Sequence, residues 1–318
     1  MATTLRLMLE PQQGGTYAQF RAVARAAEQA GYDAVFRSDH LLTIGGQPQP
    51  ALEAWTTLAA LARDTTSIRL GTLVTPMTFR HPSVLAREVV TVDEMSGGRI
   101  EIGVGTGWYE PEHRSLGIAF PPMRERTDRL EECVEVMTRL WTGQPVSYEG
   151  RYYRLDEAVA LPRPVQDPLP LLVGGHGGPR STSLGARFAA EYNTTSIDPD
   201  GAAQTYAKAR AACEAVGRDP ASLRLSWMGT VLVGRDDATL RRRLQRYAAW
   251  NGTPDADPDT VLQRMAAHSA VGTYDQAADK LRAYVAAGCE RIYARVLDLD
   301  DLDQISELAT EVMPRVAR

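Results

Sequence analysis

The sequence predicts an α/β chain folded as a TIM (β/α)8 barrel with insertions at the C-terminal face. Three observations carry that expectation. Short β-branched or aromatic runs alternate with longer stretches of 3.6-residue periodicity, giving eight strands alternating with helices. Two α-to-β junctions far apart in the chain echo each other, Ala30-Gly31-Tyr32-Asp33-Ala34-Val35-Phe36 and Ala287-Gly288-Cys289-Glu290-Arg291-Ile292-Tyr293. Four of the five histidines fall just beyond strands, where barrels of this kind build their sites.

In chain order, Leu5-Arg6-Leu7-Met8-Leu9 alternates as a strand does. Phe20, Val23, Ala24 and Ala27 then form a helical stripe that Gly31 ends. Asp33 to Phe36 is the second strand, a helix around Trp55, Leu58 and Ala62 follows, and Ser67 to Val74 is the third strand. Pro82 suits the first turn of a helix carrying Leu85, Val89 and Val92, which Gly97-Gly98 terminates. Ile100 to Gly105 is the fourth strand, before a long helix bearing Leu130, Val134, Met137 and Trp141. The last four strands are placed at Leu171-Leu172-Val173, Ala189 to Asn193, Leu223 to Val233 and Arg291 to Val296. Helices are placed near 201–216, 236–249, 259–268, 275–287 and 301–313. No Pro/Gly/Ser-rich linker divides the chain, so 1–318 reads as one domain. Residues 143–170, with a hairpin-like Tyr148-Glu149-Gly150-Arg151-Tyr152-Tyr153 and a Pro-rich loop, read as an insertion.

Composition removes several classes. At 44% hydrophobic and 24% charged residues the chain is too apolar for disorder, and no run approaches the ~20 apolar residues of a membrane span. Its net charge of −5 argues against nucleic acid as a partner. Cys133, Cys213 and Cys289 form no Cys-x-x-Cys, and the start Met1 to Arg6 lacks a secretory leader, so a cytoplasmic protein with no bound metal is expected. Lys208 and Lys280 both fall on helices, which disfavours Schiff-base chemistry. No His-x-His pattern supports a metal-dependent hydrolase, whereas Glu10, Asp39, Glu110 and Glu112 leave a glycosidase pair formally open.

The polar motifs lie past strand ends. Ser38-Asp39-His40 is the sharpest: an Asp beside a His suits general acid–base work near neutral pH, or else a capping Asp with an exposed His. Adjacent residues point to opposite faces, so the two need not touch. Gly103-Val104-Gly105-Thr106-Gly107-Trp108 lacks the helix and acidic partner of a dinucleotide fingerprint. Gly174-Gly175-His176-Gly177-Gly178-Pro179 follows a strand and opens a helix, so its bare amides suit a phosphate. Arg241-Arg242-Arg243 with Arg246 reads as a solvated helix face.

Taken together, Ala30 to His40, Arg69 to Pro76, Arg80-His81-Pro82, Gly103 to Trp108, Arg124-Glu125-Arg126, Gly150 to Tyr153 and Gly174-Gly175 resemble the bacterial luciferase-like monooxygenase superfamily over essentially the whole chain. Within it the chain is most similar to the branch of oxidoreductases that use the deazaflavin coenzyme F420. The resemblance implies hydride transfer between the deazaflavin C5 and a small organic substrate, with His40 carrying the proton and Asp39 orienting the site or touching the ring. It further implies a cis peptide at Leu73-Val74 against the ring, and cofactor contacts at Asp39, Thr106, Gly107, Gly174, Gly175, His176, Gly177 and Gly178. Trp108, Glu110 and His113 are the expected substrate contacts. A homodimer is implied, with a flavin or F420 reductase as an indirect redox partner. Two other outcomes stay open: an FMN-dependent monooxygenase using reduced flavin and oxygen, and a non-catalytic flavin-binding paralogue. The branch's sugar-phosphate dehydrogenases carry a glutamate where this chain has Trp108, and their substrate-phosphate lysines have no match here.

Overall fold

A computed structural model describes residues 3–45 and 47–317. Met1 and Ala2 of the stretch inspected for a leader, Gly46 of the loop after the second strand, and Arg318 at the end of the 1–318 span lie outside the described residues. Eight parallel strands close into a barrel: β1 (Thr4–Leu9), β2 (Ala34–Arg37), β3 (Arg69–Pro76), β4 (Ile100–Gly105), β5 (Leu171–Gly174), β6 (Glu191–Thr195), β7 (Arg224–Val233) and β8 (Arg291–Val296). Neighbours pair in sequence order, and β8 returns to β1 with Thr4 opposite Arg291 and Leu9 opposite Val296. Among the described residues no helix is long and apolar enough to cross a membrane.

The two echoing junctions match in structure. Helices Tyr17–Gln29 and Tyr274–Ala286 each start with a Thr/Gln capping box and end at a glycine of positive φ, Gly31 at 82° and Gly288 at 105°. The hairpin falls inside the insertion, as Val146–Glu149 against Arg154–Ala158. Several boundaries differ from expectation. Ala189 and Ala190 precede β6 instead of starting it, because Ala189 closes helix Pro179–Phe188 with its N–H on the Gly185 carbonyl. A short strand, Ala270–Gly272, adds to the end of β7, and a helix, Glu110–Ser115, stands where the sequence suggested only a loop.

Alternation along β1 sorts two layers. Leu5, Leu7 and Leu9 join the main core against the helices, while Arg6 and Met8 face the lumen. The lumen floor is ionic. Arg6 is fully buried and reaches Asp33 Oδ2 at 2.6 Å, Glu101 Oε2 at 2.6 Å, Glu101 Oε1 at 3.1 Å and the Tyr293 hydroxyl at 2.9 Å. Arg69 and Arg291 add further pairs to Glu101 and Glu191. Above this floor, Met8, Phe36, Leu73, Leu172 and Tyr293 make an apolar layer, with Val74 and Met228 packed on it. The lumen is therefore solid up to the C-terminal ends of the strands.

Burial alone would raise the Glu101 carboxyl, but Arg6, with Arg69 and Arg291, holds it down to about 2. Its folded value thus lies below the unfolded value of ~4.3, so the stability it contributes is complete above that pH and lost as pH falls toward about 2. Urea unfolding across that window should show the loss, and Glu101→Gln should flatten it. At neutral pH, Arg6→Ala removes the buried cation from Glu101, leaves Arg69 and Arg291 as its remaining partners, and is expected to cost about 3 kcal/mol in the same assay.

Candidate active site

A cavity of about 590 Å³ opens at the C-terminal ends of the strands and is lined by Glu10, Gln12 and Gln13 after β1, Ser38, Asp39 and His40 after β2, and Leu73 and Val74 on β3. Thr106, Gly107, Trp108, Glu112, His113 and the β5 end Gly174-Gly175-His176 complete much of its wall.

His40 and Asp39 diverge, each to its own counter-charge. His40 Nδ1 lies 3.0 Å from Oε2 of the fully buried Glu112. Glu112 Oε1 meanwhile accepts from the backbone amides of Leu41 and of Leu42, the latter at 2.8 Å. Burial works to raise the Glu112 carboxyl, but the His40 contact and the two amides hold it below its usual value. Glu112 is therefore an acceptor only, His40 donates from Nδ1, and Nε2 is left without a partner among the described residues. Asp39 is buried, and both of its oxygens meet Arg80, at 2.6 and 3.3 Å. Arg80 also pairs with Glu53 and Glu88. A carboxylate so engaged orients the turn, and Asp39 stays on the cavity wall beside His40.

The sequence-derived substrate residues separate. Trp108, 62% exposed, stands edge-on to His40 with ring centroids 5.7 Å apart, and Tyr109 flanks both rings. Glu110 is exposed at the start of helix Glu110–Ser115 and is not among the residues lining the cavity. Two residues on, Glu112 turns inward instead, because helix Glu110–Ser115 rotates it under His40. His113 reaches the wall but is buried, with Nδ1 bonded to the Tyr109 carbonyl at 2.9 Å and Nε2 to Thr78 Oγ1 at 2.7 Å. Neither nitrogen is left for a substrate. His81, outside the wall, caps helix Pro82–Ser96 by accepting from the Ser83 amide.

The Leu73–Val74 peptide is cis, and the β3–β4 register shifts between Thr72 and Thr75. The shift turns Val74 into the barrel mouth. A Cβ on Gly105 would sit 2.7 Å from Val74 Cγ2, and one on Gly103 would meet the Thr72 carbonyl at 2.4 Å. Those glycines of the 103–107 motif therefore admit the bulge, and Gly107 supplies a φ of 74°. In the second glycine run, Gly174, Gly175 and His176 line the cavity, whereas Gly177 and Gly178 lie off its wall. Gly178 is the N-cap of helix Pro179–Phe188, whose first turn has no side-chain cap.

The barrel thus gathers a histidine, a bulged third strand and a glycine run around one mouth. The sequence profile of the luciferase-like monooxygenase family matches residues 1–291, and the chain belongs to that family. It is 34% identical over 258 residues to the F420-dependent hydroxymycolic acid dehydrogenase of Mycobacterium tuberculosis, covering 79% of this chain and 70% of that one. It is 44% identical over 177 residues to the F420-dependent glucose-6-phosphate dehydrogenase of Nakamurella multipartita, which is 55% of this chain. The chain spans about half the length of that relative, 51%. An F420-dependent secondary alcohol dehydrogenase in complex with an F420-acetone adduct shares the fold, with a TM-score of 0.84 at 22% identity over 100% of both chains.

Glu112 ties the loop after β2 to the loop after β4. Its loss removes the acceptor of two amides, so Glu112→Ala should speed hydrogen exchange at Leu41 and Leu42 by about tenfold or more, against little change in the strands. Mass-spectrometric exchange resolves the segment.

Proposed function

We propose that the chain is a coenzyme F420-dependent oxidoreductase that exchanges a hydride with a small organic substrate, with His40 giving or taking the substrate proton. The observation that carries this is the buried Glu112 fixing His40 through Nδ1 while Nε2 has no partner among the described residues at the cavity. The F420-dependent names of the relatives above support the cofactor.

The residues present fit such a group. The cavity lies in the ~300–1,000 Å³ range of ligand sites. Its wall joins apolar Leu73 and Val74 to bare glycine backbone, and it holds a buried acceptor, Gln13 Oε1, with no partner. Leu73, Val74, Thr106 and Gly107 would hold the ring, and the Gly174–Gly178 loop at the helix start, whose Gly177 amide is already bonded to Tyr192, its phosphate. When bound, a deazaflavin supplies or accepts a hydride at C5 and does not readily activate oxygen.

The chain's own part is proton handling and shape. Glu112 selects the tautomer in which His40 Nε2 accepts a proton, and its charge stabilises the imidazolium that results. Arg80 locks Asp39, and with it the turn that presents His40. Trp108 and Tyr109 shield that edge from water and offer aromatic faces to an apolar substrate.

Titration with coenzyme F420 and with FMN tests the cofactor: F420 should bind, and oxygen uptake with reduced FMN would favour the monooxygenase activity in the family's name. His40→Ala should retain F420 while turnover falls about 10²–10⁴-fold. Unchanged turnover would remove His40 from the mechanism, and no redox turnover across a substrate panel would favour a binding protein.

A further inference from the structure

Among the glycines of the 174–178 loop, Gly175 has an explanation beyond close approach of a ligand. Tyr192 on β6 is fully buried directly behind them, off the cavity wall. A Cβ on Gly175 would sit 2.4 Å from its hydroxyl oxygen, and a Cβ on Gly185, in the helix that follows, would sit 2.9 Å from its ring. Tyr192 thus occupies a slot that two glycines make, with its hydroxyl at the loop.

That hydroxyl is the middle of a directed chain. The Gly177 N–H donates to Tyr192 Oη at 3.1 Å. Tyr192 Oη lies 2.8 Å from Ser181 Oγ, and Ser181 Oγ donates to the Gly178 carbonyl at 2.9 Å. Since Ser181 spends its proton on Gly178, Tyr192 is the donor between the two hydroxyls. Burial pushes the Tyr192 phenol up, which keeps that proton in place. The chain therefore links the amide of Gly177, at a φ of 73°, to the carbonyl of the next residue across the start of the helix. A phenylalanine would fill the same slot, so packing alone does not call for the oxygen, and a buried hydroxyl costs stability unless it is bonded.

We infer that Tyr192, acting through Gly177 and Ser181, is the positioning residue that presets the Gly174–Gly178 loop for the phosphate of the bound coenzyme. The inference rests on the proposed phosphate role of that loop. Tyr192 touches neither the ring pocket nor the reacting atoms. Its contribution is confined to the anion end of the site, where a preset backbone spares the ligand the cost of ordering it.

The test compares two ligands by fluorescence titration: coenzyme F420, and the same deazaflavin with its ribityl chain but no phosphate or tail. Wild type should prefer F420. Tyr192→Phe should weaken F420 binding about tenfold, as loss of a bonded buried hydroxyl implies, and leave the tail-free compound within about twofold. Ser181→Ala should give a smaller loss of the same kind. Thermal unfolding checks that both variants fold. Equal loss for both ligands, or wild-type discrimination that survives in Tyr192→Phe, overturns the positioning role alone. Wild-type protein that binds both compounds equally overturns the phosphate role of the loop and the inference with it.

Discussion

The buried guanidinium of Arg6 is the constraint on which the rest of the barrel depends. A closed eight-stranded sheet leaves a lumen that must be filled to the density of a protein interior. Here an ion cluster fills its floor. Arg6 on β1 engages Glu101 on β4, Tyr293 on β8 and Asp33 just ahead of β2, so one side chain spans strands that do not all neighbour each other. Breaking such a cluster is costly, because Glu101 is held away from water and depends on the guanidinium groups around it. The apolar layer of Met8, Phe36, Leu73 and Leu172 lies on that floor, which leaves only the C-terminal mouth open for a ligand.

Most of the fold was legible because it is written locally. Helical stripes, Gly stops at 31 and 97, and alternating strands are short-range patterns, and each of the eight barrel strands overlaps the run those patterns mark, with β6 displaced at its start. The lumen was not legible. In a parallel barrel both faces of a strand are covered, so Arg6 and Glu101 sit at polar positions of the alternation yet point inward. The start of β6 was misjudged for a similar reason: Ala189 and Ala190 are apolar enough for a strand, but the helix end claims Ala189.

The site was legible to the extent that its residues share a motif. Ser38-Asp39-His40 and the cis peptide at Leu73–Val74 lie where family resemblance put them. The partners of those residues do not. Glu112 is 72 positions from His40, and Arg80 is 41 from Asp39, separations that no local period can report. Glu110 and Glu112 look interchangeable as letters, and only the helix that starts at Glu110 decides which of them faces the histidine. The glycine runs misled differently. They signalled close approach correctly, but much of what approaches them is the protein itself, Val74 in one case and Tyr192 in the other.

Helix Glu110–Ser115 makes two properties inseparable. It follows the Trp108-Tyr109 pair that shapes the pocket edge, it carries the carboxylate beneath His40, and it is pinned to the loop after β3 by His113 on Thr78. Descendants of this sequence therefore cannot trade that segment wholesale for another without also losing the carboxylate that holds His40. Any replacement has to bring its own acid at the position of Glu112, or the histidine loses its support together with the old specificity. Divergence at this mouth is channelled toward single side-chain changes at Trp108 and Tyr109, with the helix beneath them inherited intact.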